Sequence, residues 1–145
     1  MAMTPEAKVK SDVQRYLHEK GFIRAGSAPK SWPDPVQGWY FMPSQNGRGV
    51  TGIPDFVGCY KGRFFSVETK APGKRGNTNA NQDQRIKEIQ RADGVALVVD
   101  DVEQLKEVLE DTPAAPLRSL VHCSTHSVTR TETPPTNKEK HHDPL

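Results

Sequence analysis

Asp55, Glu68 and Lys70 stand inside two short apolar runs, in GIPDFVGCYKGRFFSVETK from Gly52 to Lys70, where a sheet favours Val or Ile. The runs meet at Lys61-Gly62, which suits a two-residue type I′ hairpin turn at its glycine, although lysine is unusual at the first position. Counting outward sets Tyr60 opposite Arg63, Cys59 opposite Phe64, Val57 opposite Ser66 and Asp55 opposite Glu68. Facing residues have Cβ atoms about 4.5–5.5 Å apart. Glu68 and Lys70 share a face because side chains alternate, about 6.6 Å apart along the strand, and the same count puts Asp55 on that face. Two opposed carboxylates repel. A divalent cation between them reverses the sign, and carboxylate oxygens suit Mg²⁺ or Mn²⁺, which keep waters for chemistry. A lysine alongside can orient such a water, help to deprotonate it or stabilise charge on a phosphate. This is the equipment of metal-assisted phosphodiester hydrolysis, and no Ser-His-Asp set competes with it. An acid and a base two apart on a strand are, alone, more often a solvated face or a surface ion pair. The preceding Pro54-Asp55 at hairpin spacing is what strengthens the functional reading.

These residues need elements to hold them. Thr4-Pro5-Glu6 reads as a helix start, with Thr4 capping and Pro5 at the first helical position. Val9, Val13, Tyr16 and Leu17 recur at helical spacing and Gly21 is a stop, giving a helix over Pro5 to Lys20. Phe22-Ile23 suggests the start of a strand. Arg24 to Gly38 has three prolines in its middle and no periodicity, and reads as a loop insertion. Trp39 to Ser44 is β-prone, and Asn46 to Gly52 is a glycine-rich connection. After the hairpin, Lys70 to Asn79 is a basic loop. Thr78 is a candidate cap for a helix with Gln82, Ile86 and Ile89 on one face, ended by Gly94. Val95 to Val99 reads as a buried strand. Asp100 or Asp101 caps a last helix with Val102, Leu105, Val108 and Leu109 inward. The order is α–β–β–β–α–β–α over residues 1–110. From 111 to 145 the chain is rich in Pro, Ser and Thr and poor in large apolar residues, so it is expected to be a disordered tail.

Taken in order, GIPDF, FFSVETKAPGK and NQDQRIKEIQRADGVALVV resemble the VRR-NUC branch of the PD-(D/E)xK nuclease superfamily, and the first helix, TPEAKVKSDVQRYLHEKG, also fits it. The resemblance covers about Thr4 to Leu109, with a gap at Arg24 to Gly38. It implies an α/β restriction-endonuclease-like core, a mixed sheet flanked by helices, and Mg²⁺-dependent cleavage of DNA, with Mn²⁺ as a substitute. Asp55 matches the first metal-binding acid, Glu68 the second and Lys70 the catalytic lysine. Thr69 would give its backbone carbonyl to the metal, so its side chain should matter little. Gln82 matches the glutamine opening the next helix, and Glu6 the acid near the start of the first. Gln82 has a plainer reading as a first-turn polar residue, and Glu6 as a favourable charge at a helix N-terminus. Arg48, Lys74 and Arg75 would flank the site and contact phosphates; as loop charges they are equally at home in solvent. Trp39 reads as core, whereas Trp32 is open between core and base stacking. The proteins of this branch that stand alone are common in bacteriophages and resemble junction-resolving enzymes, which implies branched or flapped DNA, a homodimer and the cytoplasm of a bacterial host. The competing readings are a non-catalytic nucleic-acid-binding module that keeps the fold, and a plain structural domain.

Composition sets the outer limits. The 145 residues suffice for one domain with a modest core. A hydrophobic fraction of 34% and a mean hydropathy of −0.73 make the chain polar, and no apolar run is long enough for a membrane span. The net charge of +2 neither demands nor forbids nucleic acid. Two cysteines are too few for a disulfide framework, and Cys59, in an apolar run, reads as a free buried thiol. With no signal-peptide pattern, a reducing intracellular compartment is expected. The histidines His122, His126, His141 and His142 match no metal-ligand spacing.

Overall fold

A computed structural model describes residues 2–28 and 31–116. Cys123, the late histidines and the expected tail from residue 117 onward lie outside those residues. The described chain runs α1 (Pro5–Lys20), β1 (Phe22–Arg24), β2 (Gly38–Phe41), β3 (Phe56–Tyr60), β4 (Arg63–Thr69), α2 (Ala80–Arg91), β5 (Val95–Val99) and α3 (Val102–Asp111). The five strands form one mixed sheet in the order β1-β2-β3-β4-β5. β1 is parallel to β2, β2 and β3 and then β3 and β4 are antiparallel, and β4 is parallel to β5.

The first helix has its expected bounds. The Thr4 hydroxyl accepts from the Ala7 amide, and Gly21 closes the helix with a left-handed φ of 95°. The hairpin register also follows the count from the turn: Tyr60 faces Arg63, Cys59 faces Phe64 and Val57 faces Ser66. Lys61 and Gly62 both have positive φ, 48° and 77°, as a type I′ turn requires.

Four expectations need correction. The expected order omits β1, whose three residues pair with β2 across the proline-rich loop and add a fifth strand. α2 is capped by Asn79 rather than Thr78, because Asn79 and Gln82 form a reciprocal capping box. Ordered packing continues to Pro116: Thr112 is buried, and the Ala115 amide donates to the Lys61 carbonyl at 2.9 Å. Finally, Trp39 and Cys59 are exposed rather than core.

The last correction has a simple cause. α1 and α3 cover one face of the sheet, where Val13, Leu17, Phe22, Phe56, Tyr60, Phe65, Val67, Leu105 and Leu109 form the core. Alternation sends Trp39, Phe41, Val57, Cys59, Phe64, Ser66 and Glu68 to the other face. That face has α2, which packs on β5 and carries no fully buried residue of its own. One helix covers the β4–β5 side; Val57 of β3 is still buried, but the end of the face that carries Trp39 and Cys59 is left uncovered.

Candidate active site at the end of β4

β4 delivers Glu68, Thr69 and then Lys70 to one end of the sheet, and the hairpin brings the segment before β3 beside them. Lys70 leaves the strand with its amide still bonded to the Val99 carbonyl at 2.9 Å, so its position is fixed by β5. The following loop is tied to the same strand. The Gly73 amide donates to Asp100 Oδ2 at 2.9 Å and Arg75 Nε to the Val98 carbonyl at 2.8 Å.

On the α2 side, Lys70 Nζ donates to Glu68 Oε1 at 2.9 Å and to Gln82 Oε1 at 3.2 Å. Gln82 Nε2 donates to the same Glu68 oxygen. Gln82 therefore does two jobs at once: its Oε1 also accepts from the Asn79 amide as half of the capping box. The cap fixes the helix end, and the helix end fixes the amide over Glu68. Glu68 is buried and Lys70 partly so, with side-chain exposures of 6% and 12%. Burial pushes the Glu68 carboxyl above its ordinary range; the Lys70 hydrogen bond opposes that and the Asp55 charge adds to it.

Asp55 departs from the expected arrangement. It occupies a bend just before β3, and its carboxylate turns to Thr69, accepting from the amide at 3.0 Å and from the hydroxyl at 2.6 Å. Its other oxygen, Oδ1, takes the Lys10 ammonium of α1 at 2.7 Å. Thr69 alternates with Glu68, so its side chain lies on the α1 side of the sheet. Asp55 thus straddles the sheet end rather than sharing the Glu68 face. The Thr69 side chain, expected to matter little, is a direct partner of Asp55.

Lys10 is the residue the sequence reading missed. A signal existed: Lys10 stands one turn before Val13 and two before Leu17 on the buried stripe of α1. Each carboxylate has its own ammonium, so the repulsion expected between Asp55 and Glu68 is already offset by two lysines. Glu6, one turn before Lys10, is exposed and outside this hydrogen-bonded set. Arg48 and Lys74 are exposed loop residues; Arg75 spends its Nε on anchoring the loop, leaving its other donors outward.

Two carboxylates and the strand-end carbonyl of Thr69 are hard oxygen donors and suit a hard ion better than a soft one. Among the described residues no group of three or more His, Cys, Asp or Glu converges. The donor set is therefore too small for an all-protein cage. It fits Mg²⁺, which binds through one or two carboxylates and keeps its waters. Asp55 Oδ1 is held only by Lys10, which a cation would have to replace, and Glu68 Oε2 has no side-chain donor among the described residues.

Set beside known protein families, curated proteins and solved structures, the chain gives no match. No helix of the described residues is long and apolar enough to cross a membrane.

Proposed function

We propose that the chain is a Mg²⁺-dependent nuclease of the PD-(D/E)xK type that hydrolyses DNA phosphodiester bonds, with branched or flapped duplex as substrate in bacteriophage DNA processing. The observation that carries this reading is the buried Glu68–Lys70–Gln82 set at the end of β4 with Asp55 beside it. The strand pairings of β2 to β5 are in keeping with a restriction-endonuclease-like core.

In this reading Asp55, Glu68 and the Thr69 carbonyl hold the cation. When bound, it neutralises phosphate charge and makes water acidic enough to attack phosphorus. The protein's own residues do the rest. Lys70, held by Glu68 and Gln82, presents its ammonium to a phosphate oxygen and stabilises the charge gathering there. Gln82 fixes the Glu68 carboxylate so that its free oxygen faces outward. Thr69 restrains Asp55 through two hydrogen bonds, and Lys10 neutralises that carboxylate in the metal-free chain. Water adds to phosphorus, the bond to the leaving sugar oxygen breaks, and that oxygen takes up a proton. Arg48, Lys74 and the outward donors of Arg75 contact flanking phosphates.

One observation favours a second reading. Both acids already have lysine partners, so the fold needs no metal, as a non-catalytic DNA-binding module would not. Plasmid, flap and four-way substrates incubated with Mg²⁺, with Mn²⁺ and with chelator separate the two. The nuclease cuts at least one substrate in either metal and none in chelator. Intact binding with no cleavage of any substrate selects the module.

A further inference from the structure

The open half of the α2-side face carries three exposed aromatic side chains: Trp39 (41%), Phe41 (41%) and Phe64 (48%). Trp39 and Phe41 are neighbours on one side of β2, with ring centroids 5.7 Å apart and planes tilted by 50°. By register this face leads toward the candidate active site across two residues, Val57 and Ser66, that are themselves buried. Phe41 faces Val57, Val57 faces Ser66, and Glu68 follows Ser66 on the same side of β4. With strands about 4.8 Å apart and about 3.3 Å per residue, Phe41 lies about 12 Å from Glu68 across the sheet.

Two buried polar atoms accompany the aromatics. Arg85 Nε and Ser66 Oγ are both buried without a hydrogen-bond partner among the described residues, although the Arg85 guanidinium also pairs with Glu88 at 3.0 Å through its Nη2. Ser66 lies between the exposed aromatics and Glu68 and is fully buried. Arg85 lies one turn beyond Gln82, on the flank of α2 about 140° around from Gln90 at 3.6 residues per turn. Gln90 reaches the Ala96 carbonyl of β5, and Arg85 stands on a different flank of the helix. Unpaired buried donors are costly unless something satisfies them.

We propose that Trp39 and Phe41 form a stacking platform for unpaired bases of a DNA strand, with Arg85 exchanging its Glu88 partner for the backbone of that strand. This rests on the nuclease reading and narrows its substrate to DNA with a single-stranded segment beside the cut. A base has a π-face that any aromatic side chain accepts, and an arginine at the edge supplies the phosphate contact. The size of the patch argues against a second copy of this chain as the occupant. Three half-exposed aromatic side chains present about 250–300 Å², well short of the roughly 800 Å² per partner that a stable interface buries.

The test measures binding in chelator, so that no cleavage intervenes. A labelled single-stranded oligonucleotide and its duplex are titrated with the full chain and with Trp39→Ala, Phe41→Ala, Arg85→Gln and the off-platform control Val36→Ala. Expected is a loss of about tenfold in single-strand affinity for each aromatic variant, at unchanged thermal midpoint. Arg85→Gln should reduce the salt dependence of binding, and Val36→Ala should bind as the full chain does. In a Trp32→Phe chain, Trp39 is the sole tryptophan, and its fluorescence should be quenched by the single strand. Unquenched Trp39, or aromatic variants that bind the single strand as the full chain does, overturns the platform. So does a dimer that Trp39→Arg dissolves while single-strand binding persists. The two readings fail separately. If the aromatic variants lose binding but no metal supports cleavage, the nuclease reading falls and the platform stands. If cleavage requires Asp55 and Trp39→Ala keeps the full single-strand preference, the reverse holds.

Discussion

Lys10 and Lys70 each sit on one carboxylate, and this sets what single substitutions should do. Lys10 competes with a cation for Asp55 Oδ1. Lys10→Met should therefore strengthen Mg²⁺ or Mn²⁺ binding several-fold in a calorimetric titration while lowering the thermal midpoint of the metal-free chain. Lys70→Ala should leave metal binding in place and abolish turnover. Glu68 gives a pH signature. Its folded-state carboxyl titrates above its ordinary value near 4.5, so the folded chain binds the proton more tightly than the unfolded one. In metal-free protein, this group's contribution favours the fold below about pH 4.5 and weakens as pH rises through the raised value. Urea titrations across that window should show the decline, and Glu68→Gln should flatten it. At this scale the sequence brought Asp55, Glu68 and Lys70 together because their spacing on a hairpin is local arithmetic, whereas Gln82 came from the resemblance and its place on the inward face of the next helix. Lys10 was harder to find: it comes from a helix whose angle to the sheet no local pattern encodes. The orientation of Asp55 was lost for a related reason, since a residue in a bend before a strand need not follow the strand's alternation.

At the scale of elements, the site depends on how the first turn of α2 meets the loop before β3. Gly52 has φ of 80°, and a Cβ there would collide with the backbone of Asn81. Gly52→Ala should cost about 1–3 kcal/mol of stability through that overlap. It should also reduce cleavage more than the stability loss explains, because Asn81 precedes Gln82; comparison of rates with folded fraction checks this. Asn79→Ala should cost about 1 kcal/mol as a lost cap and loosen Gln82 with it. Helix bounds and the hairpin register were legible because caps, periodicity and a two-residue turn are short-range signals. β1 was less so, since three residues carry little periodicity and its pairing with β2 spans the proline-rich loop. Which sheet face each helix would cover was not legible, and the burial of Trp39 and Cys59 depends on just that.

For the whole molecule, the described structure closes at Pro116. Lys61 Nζ and Arg63 Nε hold the Thr112 and Pro113 carbonyls, and the Ala115 amide returns to the Lys61 carbonyl. A chain ending at Pro116 should keep the thermal midpoint of the full chain, whereas one ending at Asp111 should melt several degrees lower by calorimetry. The alternation of helices and strands was readable from the order of apolar runs, and the mixed sheet flanked by helices followed from the resemblance. The fifth strand and the thin cover on one face were not, because they are properties of the assembled layers. What the molecule does turns on whether one aspartate, one glutamate and one lysine at a sheet end hold a cation and cut DNA. The direct measurement is plasmid cleavage against Mg²⁺ concentration for the full chain and Asp55→Asn side by side, with thermal midpoints recorded for both. The full chain should cut in Mg²⁺ and stop in chelator, and Asp55→Asn should be slower by orders of magnitude while still folded. Equal rates for the two chains, or cleavage that survives the chelator, would contradict it.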